Sequence, residues 1–132
     1  MNPVIQPDGW PRPRGYSNGV VSEGPLLHVA GMVGWEPDGT FASEGLVDQL
    51  GRALDNVLAV VRAAGGGPED IVRMTVYVTD METYRSSQRE IGATWRQRMG
   101  RSFPAMALVG VACLVEPSAK VEIEAVATVR VP

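Results

Sequence analysis

Residues 105–112, AMALVGVA, restrict the fold most, because they read as a strand that is apolar on both faces. Side chains along a strand alternate between the two sides of its sheet. Here Ala105, Ala107, Val109 and Val111 fall on one side, and Met106, Leu108, Gly110 and Ala112 on the other. A strand of that kind belongs in a sheet covered on both sides. Residues 120–131 read as a long final strand with a different alternation. Val121, Ile123, Ala125, Ala127, Val129 and Val131 point one way, the natural face for helices, while Glu122, Glu124, Val126, Thr128 and Arg130 point the other.

The remaining elements say what covers that sheet. From Ser43, a plausible N-cap, apolar residues recur at Val47, Leu50, Leu54, Val57, Leu58 and Val61, steps of three and four that make an amphipathic helix stopped by Gly65. Residues 72–79, VRMTVYVT, are β-branched and apolar and read as a strand. Asp80 caps a second helix with Tyr84, Ile91, Trp95 and Met99 on one stripe and Gly100 at its end. Upstream, the proline-rich segment through Arg14 reads as irregular, and residues 16–21 and 26–33 read as a hairpin turning at Glu23-Gly24-Pro25. The order β-β-α-β-α-β-β holds two strand–helix–strand crossovers, which put both helices on one face of a mixed sheet, an α+β fold. Two helices cover one side only. The expectation is an obligate homo-oligomer packed sheet to sheet, with Glu122 and Glu124 facing the interface.

Composition removes most chemistries. With 132 residues the chain fits one domain, residues 1–132. A domain of this size buries roughly two-thirds of its unfolded surface and needs no disulfide or metal staple. No apolar run approaches the roughly 18 residues of a membrane span, and the opening MNPVIQPDGW lacks a leader pattern, so the chain reads as soluble and cytoplasmic with no membrane partner. A net charge of −3 argues against nucleic acid as a partner. Cys113, His28 and Lys120 are each the only residue of their type. That excludes an intrachain disulfide, effectively excludes a zinc site of Cys and His ligands, and leaves one candidate apiece for histidine-assisted nucleophiles and Schiff bases. His28 lies in the apolar run LLHVAG, where a satisfied sheet residue is the simpler reading. No dinucleotide, Walker or calcium-loop motif is present, and Gly65-Gly66-Gly67 follows a helix and ends it. No metal and no organic cofactor is expected.

The segments GYSNGVV, LLHVAGMV, DIVRMTVYVTDMETY, FPAMALVGVACL and KVEIEAVA, in that order from about Tyr16 to Val131, resemble the RidA/YjgF family. The FPA and VEIEA segments at this separation are the specific part of the match. The resemblance implies a chorismate-mutase-like fold and a homotrimer with small-molecule clefts between subunits. It implies hydrolysis of reactive enamines and imines to ketone and ammonia without metal or cofactor. Older family labels include endoribonuclease, which the net charge and the single His and Lys support poorly. Position by position, the family's pocket-closing tyrosine matches Tyr16, its backbone-contributing glycine Gly31, and its water-positioning glutamate Glu122. Leu108 is placed beside the reacting centre through its backbone. Three positions depart: Ala30 stands for a serine, Gln88 for an asparagine, and Met106 for the arginine that grips the substrate carboxylate. A thioether cannot replace a bidentate guanidinium.

The resemblance therefore implies a hydrolase of altered substrate preference, with a non-catalytic small-molecule-binding trimer of the same fold as the alternative. Each residue also has a plainer role. Glu122 could be a solvated strand carboxylate, Tyr16 a sheet-edge packer, and Met106 and Leu108 core. Trp10 and Trp35 could line an apolar pocket or simply pack. Arg12, Arg14 and Arg101 could replace the lost cation or be surface charge.

Overall fold

The computed structural model describes residues 2–130. Its main sheet has four strands in the order β3-β6-β4-β5, where β3 is Leu26–Val33, β4 Ile71–Val78, β5 Ala105–Gly110 and β6 Val121–Thr128. β6 runs antiparallel to both β3 and β4, and β5 runs parallel to β4. Strands that run the same way in a sheet need a crossover between them, and the helices supply it: α1 (Leu46–Ala63) carries the chain from β3 past β6 to β4, and α2 (Met81–Ser86) with α3 (Gln88–Met99) carry it from β4 to its neighbour β5. A two-stranded sheet pairs β1 (Val4–Ile5) with β2 (Gly19–Val20).

The core follows the alternation of β6. Val121, Ile123, Ala125 and Ala127 are buried against α1, whose Leu50, Leu54, Val57, Leu58 and Val61 form the facing stripe. Met74, Val76 and Val78 of β4 stand in register with Ala125, Ile123 and Val121 and join them. Ile91, Trp95 and Met99 of α3 close the layer. Gln49 is the polar exception at 2% exposure. Its amide donates to the carbonyls of Ser43 and Ser118 at 2.9 and 3.0 Å and accepts from the Lys120 N–H at 2.7 Å, binding two loops to α1. Gly34 permits that approach, since a Cβ there would lie 2.9 Å from Gln49 Cα and its carbonyl oxygen.

Several expectations are corrected. Residues 16–21 and 26–33 form no hairpin: β2 pairs with β1, and β3 takes β6 instead. The proline-rich start is therefore not wholly irregular. Val4–Ile5 form β1, and the Val21 N–H reaches the Pro3 carbonyl at 2.8 Å. The first helix begins at Leu46 with Gly45 as its cap, while Ser43 bonds the Gly45 N–H and Asp48. The second helix breaks at Ser87 into α2 and α3, with Asp80 capping α2 through the Thr83 N–H. β5 ends at Gly110 and β6 at Thr128. Val131 lies outside the described residues.

The strand apolar on both faces sits at the sheet edge. Met106 and Leu108 point to the helix side with Met74 and Val76, while Ala105, Ala107 and Val109 share the opposite face with Arg73, Thr75 and Tyr77. Val109 is 41% exposed there. Among the described residues no helix covers that face.

Replacing Gln49 with leucine strands two carbonyls and one N–H in a buried site. The variant should lose about 3 kcal/mol of unfolding free energy, read as a lowered urea midpoint with an unchanged slope.

Candidate functional site

The residues singled out from the sequence fall into two groups on opposite faces of the sheet. The first group lines a cavity of about 550 Å³ on the helix side. Its floor is Leu50, Val76 and Ile123, its β5 wall is Met106 and Leu108, and its roof is Tyr84, Ile91, Gly92 and Trp95 of α2 and α3. Gln88, the first residue of α3, reaches it as well. Tyr16 joins because its segment is stitched to the start of β5. The Ser17 N–H donates to the Pro104 carbonyl at 3.0 Å, and Ser17 Oγ donates to the Phe103 carbonyl. Those bonds set Arg14, Gly15 and Tyr16 beside Arg101 and Phe103 at the cavity mouth.

The walls are mostly apolar, as ligand cavities usually are. Phe103 stacks on Trp95 with ring centroids 6.1 Å apart and planes 4° from parallel. Trp95 Nε1 is buried with no hydrogen-bond partner among the described residues. Burial pushes the Tyr84 phenol above its ordinary pKa, because the phenolate is poorly solvated there. Sequence reasoning assigned Trp95, Ile91 and Tyr84 to a packing stripe. They do face the sheet, yet α3 leaves a gap over β5 that the stripe encloses. Trp10 and Trp35 do not line the cavity, and both are exposed.

The second group lies on the helix-free face. Between Val29 and Met32 the β3–β6 register shifts, so Ala30 and Gly31 together oppose one residue of β6. This bulge lays the Gly31 backbone against Glu122. A Cβ on Gly31 would stand 2.9 Å from Glu122 Cδ and 3.0 Å from its Oε2. Glycine is thus what lets the carboxylate lie along the backbone. Glu122 and Glu124 share this face but differ in engagement. Tyr77 donates its hydroxyl to Glu124, and that bond holds the Tyr77 phenol above its ordinary pKa. Glu122 makes no hydrogen bond or ion pair among the described residues.

Tyr16, Gln88, Met106 and Leu108 are therefore together, as are Ala30, Gly31 and Glu122, and within one chain the sheet stands between the two sets. Among the described residues no three His, Cys, Asp or Glu side chains are placed to share a metal ion, and no helix is long and apolar enough to cross a membrane.

Residues 11–129 match the sequence profile of the Endoribonuclease L-PSP family. A Salmonella typhimurium protein named 2-iminobutanoate/2-iminopropanoate deaminase is 32% identical over 131 residues, covering 98% of this chain and all of that one. Among solved structures, a Rid-family protein of unknown function from Yersinia pestis is similar at TM-score 0.86 and 30% identity, over 97% of this chain and 98% of that one. E. coli TdcF, solved with bound serine, is similar at TM-score 0.69 and 31% identity over 97% and 98% of the two chains.

The site yields two outcomes to check. In Gly31→Ala the Glu122 carboxylate must move while the sheet register stays, so a crystal structure should show a displaced Glu122 in a protein whose stability changes by less than about 1 kcal/mol. Tyr77 and Tyr84 should ionise late in a spectrophotometric titration, and Tyr77→Phe and Tyr84→Phe should each remove one late component. Because both phenols are raised in the fold, their contribution to stability is full below the ordinary phenol range and is lost as pH rises through the raised values.

Proposed function

We propose, for a chain that belongs to the Endoribonuclease L-PSP family, also known as RidA/YjgF, a cytoplasmic hydrolase that converts reactive imines and enamines to ketone and ammonia, with residues 1–132 working as one domain. The observation that carries this reading is Glu122: among the described residues its carboxylate has no hydrogen-bond or ion-pair partner, and it lies against the backbone of Gly31 on a sheet face that none of their helices covers. Relatives named 2-iminobutanoate/2-iminopropanoate deaminase support the reaction class.

Catalysis then needs the two sets of residues in one place. A homotrimer packed through the helix-free faces supplies that, with Glu122 and Gly31 of one copy closing the cavity mouth of the next. Ala105, Ala107 and Val109 would be covered in the same step.

Hydrolysis of the C=N bond is balanced by one water. Glu122 takes a proton from that water as its oxygen attacks the imine carbon, and the C=N electron pair moves to nitrogen. The nitrogen takes up the proton, giving a carbinolamine. Glu122 then takes the hydroxyl proton and hands it to the amine nitrogen, the C–N bond breaks with its electron pair going to nitrogen, and ammonia leaves as the C=O forms, with Glu122 returned to its carboxylate. Tyr16 closes the mouth, and Ala30 and Gln88 shape the wall where the family's serine and asparagine stand. Positioned general acid–base catalysis of this kind contributes about 10²–10⁴-fold.

Met106 changes the substrate preference. A carboxylate next to the reacting carbon meets a thioether where it would meet a guanidinium, a loss on the order of 10²-fold or more. The apolar wall of Met106 and Leu108 also favours a second reading, a trimer of the same fold that binds small molecules without turnover.

Ammonia release from imines generated in solution, with and without an adjacent carboxylate, separates the two. The hydrolase reading expects turnover of carboxylate-free imines that falls about 100-fold or more in Glu122→Gln, and negligible acceleration for 2-iminobutanoate. Met106→Arg should gain a little activity on 2-iminobutanoate, limited by Ala30 and Gln88, because a site acts as a unit. Binding without turnover selects the second reading. A stable monomer in sedimentation at micromolar concentration would sink both.

A further inference from the structure

The cavity carries a charge pattern that neither its apolar wall nor the imine chemistry explains. Arg14, Arg96 and Arg101 all line it, and no aspartate or glutamate does. This occurs in a chain whose acidic residues outnumber its basic ones, 15 to 12. The side chains of Arg14, Arg96 and Arg101 make no ion pair or hydrogen bond among the described residues. Arg14 and Arg101 belong to the two segments that Ser17 ties together at the mouth, so they are held on one rim. Arg96 lies back along α3, its guanidinium over Gly92, where a Cβ would stand 3.3 Å from it. Like charges gathered over low-dielectric walls focus an attractive field for an anion.

Inside that rim the cavity is larger than a small imino acid needs. Met106, Leu108, Trp95 and Phe103 offer dispersion contacts and two aromatic faces.

We propose that this cavity takes a ligand with an apolar, arene-sized body whose anionic group docks on Arg14 and Arg101 at the mouth while the body lies inward against Met106, Leu108 and Phe103. This binding preference stands whether or not the hydrolase reading above holds.

Calorimetric titration of the assembled, full-length protein with 3-phenylpropanoate, 3-phenylpropan-1-ol and propanoate tests this. The wild type should bind 3-phenylpropanoate at least about tenfold tighter than the other two, since a charge-assisted pair adds roughly that much. Raising salt should weaken the acid and leave the alcohol unchanged. In Arg14→Gln/Arg101→Gln the acid should fall to the affinity of the alcohol. Equal affinity of acid and alcohol in the wild type, or propanoate binding as tightly as 3-phenylpropanoate, overturns the proposal. The salt series decides the point even if the double variant folds poorly. Selective binding with no hydrolysis of any imine removes the hydrolase reading and leaves this one; turnover of small imines by a protein that ranks the three ligands equally does the reverse.

Discussion

The architecture depends on the alternation of one strand. β6 is central, bonded on both sides, and its odd-numbered residues Val121, Ile123, Ala125 and Ala127 are all buried against α1. A regular strand places successive residues on opposite faces. Ile123, in the floor of the cavity, therefore forces Glu122 onto the other side of the sheet. No side-chain rotation can bring that carboxylate into the cavity of its own chain. Among the described residues the helices cover one face only, so Glu122 and the apolar cavity are separated by the same alternation that builds the core.

What could be read from the residues was whatever repeats with a period. α1, β4 and β6 announce themselves through steps of three and four or of two, and the α+β fold follows from their order. The 16–21 hairpin was misread because a Glu-Gly-Pro turn is a local signal, whereas the pairing of Gly19–Val20 with Val4–Ile5 closes a loop between two very short strands. Nothing in either pair outweighs the prolines around Val4. The break at Ser87 was hidden because the stripe of Tyr84, Ile91 and Trp95 runs on across it.

The candidate site shows the same limit more sharply. Alternation places Glu122 and Glu124 on one face and says no more. Tyr77 stands in register with Glu122 yet bonds Glu124 on the diagonal, and Glu122 makes no hydrogen bond among the described residues. Trp95 sits on an apolar stripe whether the stripe packs tightly or roofs a gap. Only the standoff of α3 from β5 distinguishes the two. The three cavity arginines come from a loop, a helix and a turn, which no spacing in the sequence joins.

The bulge at Ala30–Gly31 has a consequence for how such a chain could change. Val29 faces Ala125 and Met32 faces Ile123, both on the helix side, with one residue more on β3 than on β6 between them. Deleting that extra residue would restore a regular ladder with Val29 and Met32 still pointing inward. The hydrophobic layer would not register the edit. What would vanish is the outward loop of backbone on which Glu122 rests. The fold and the seat of Glu122 are thus separable here at a single position, so that one added or lost codon could make or remove the backbone on which that carboxylate rests while Val29 and Met32 kept their faces.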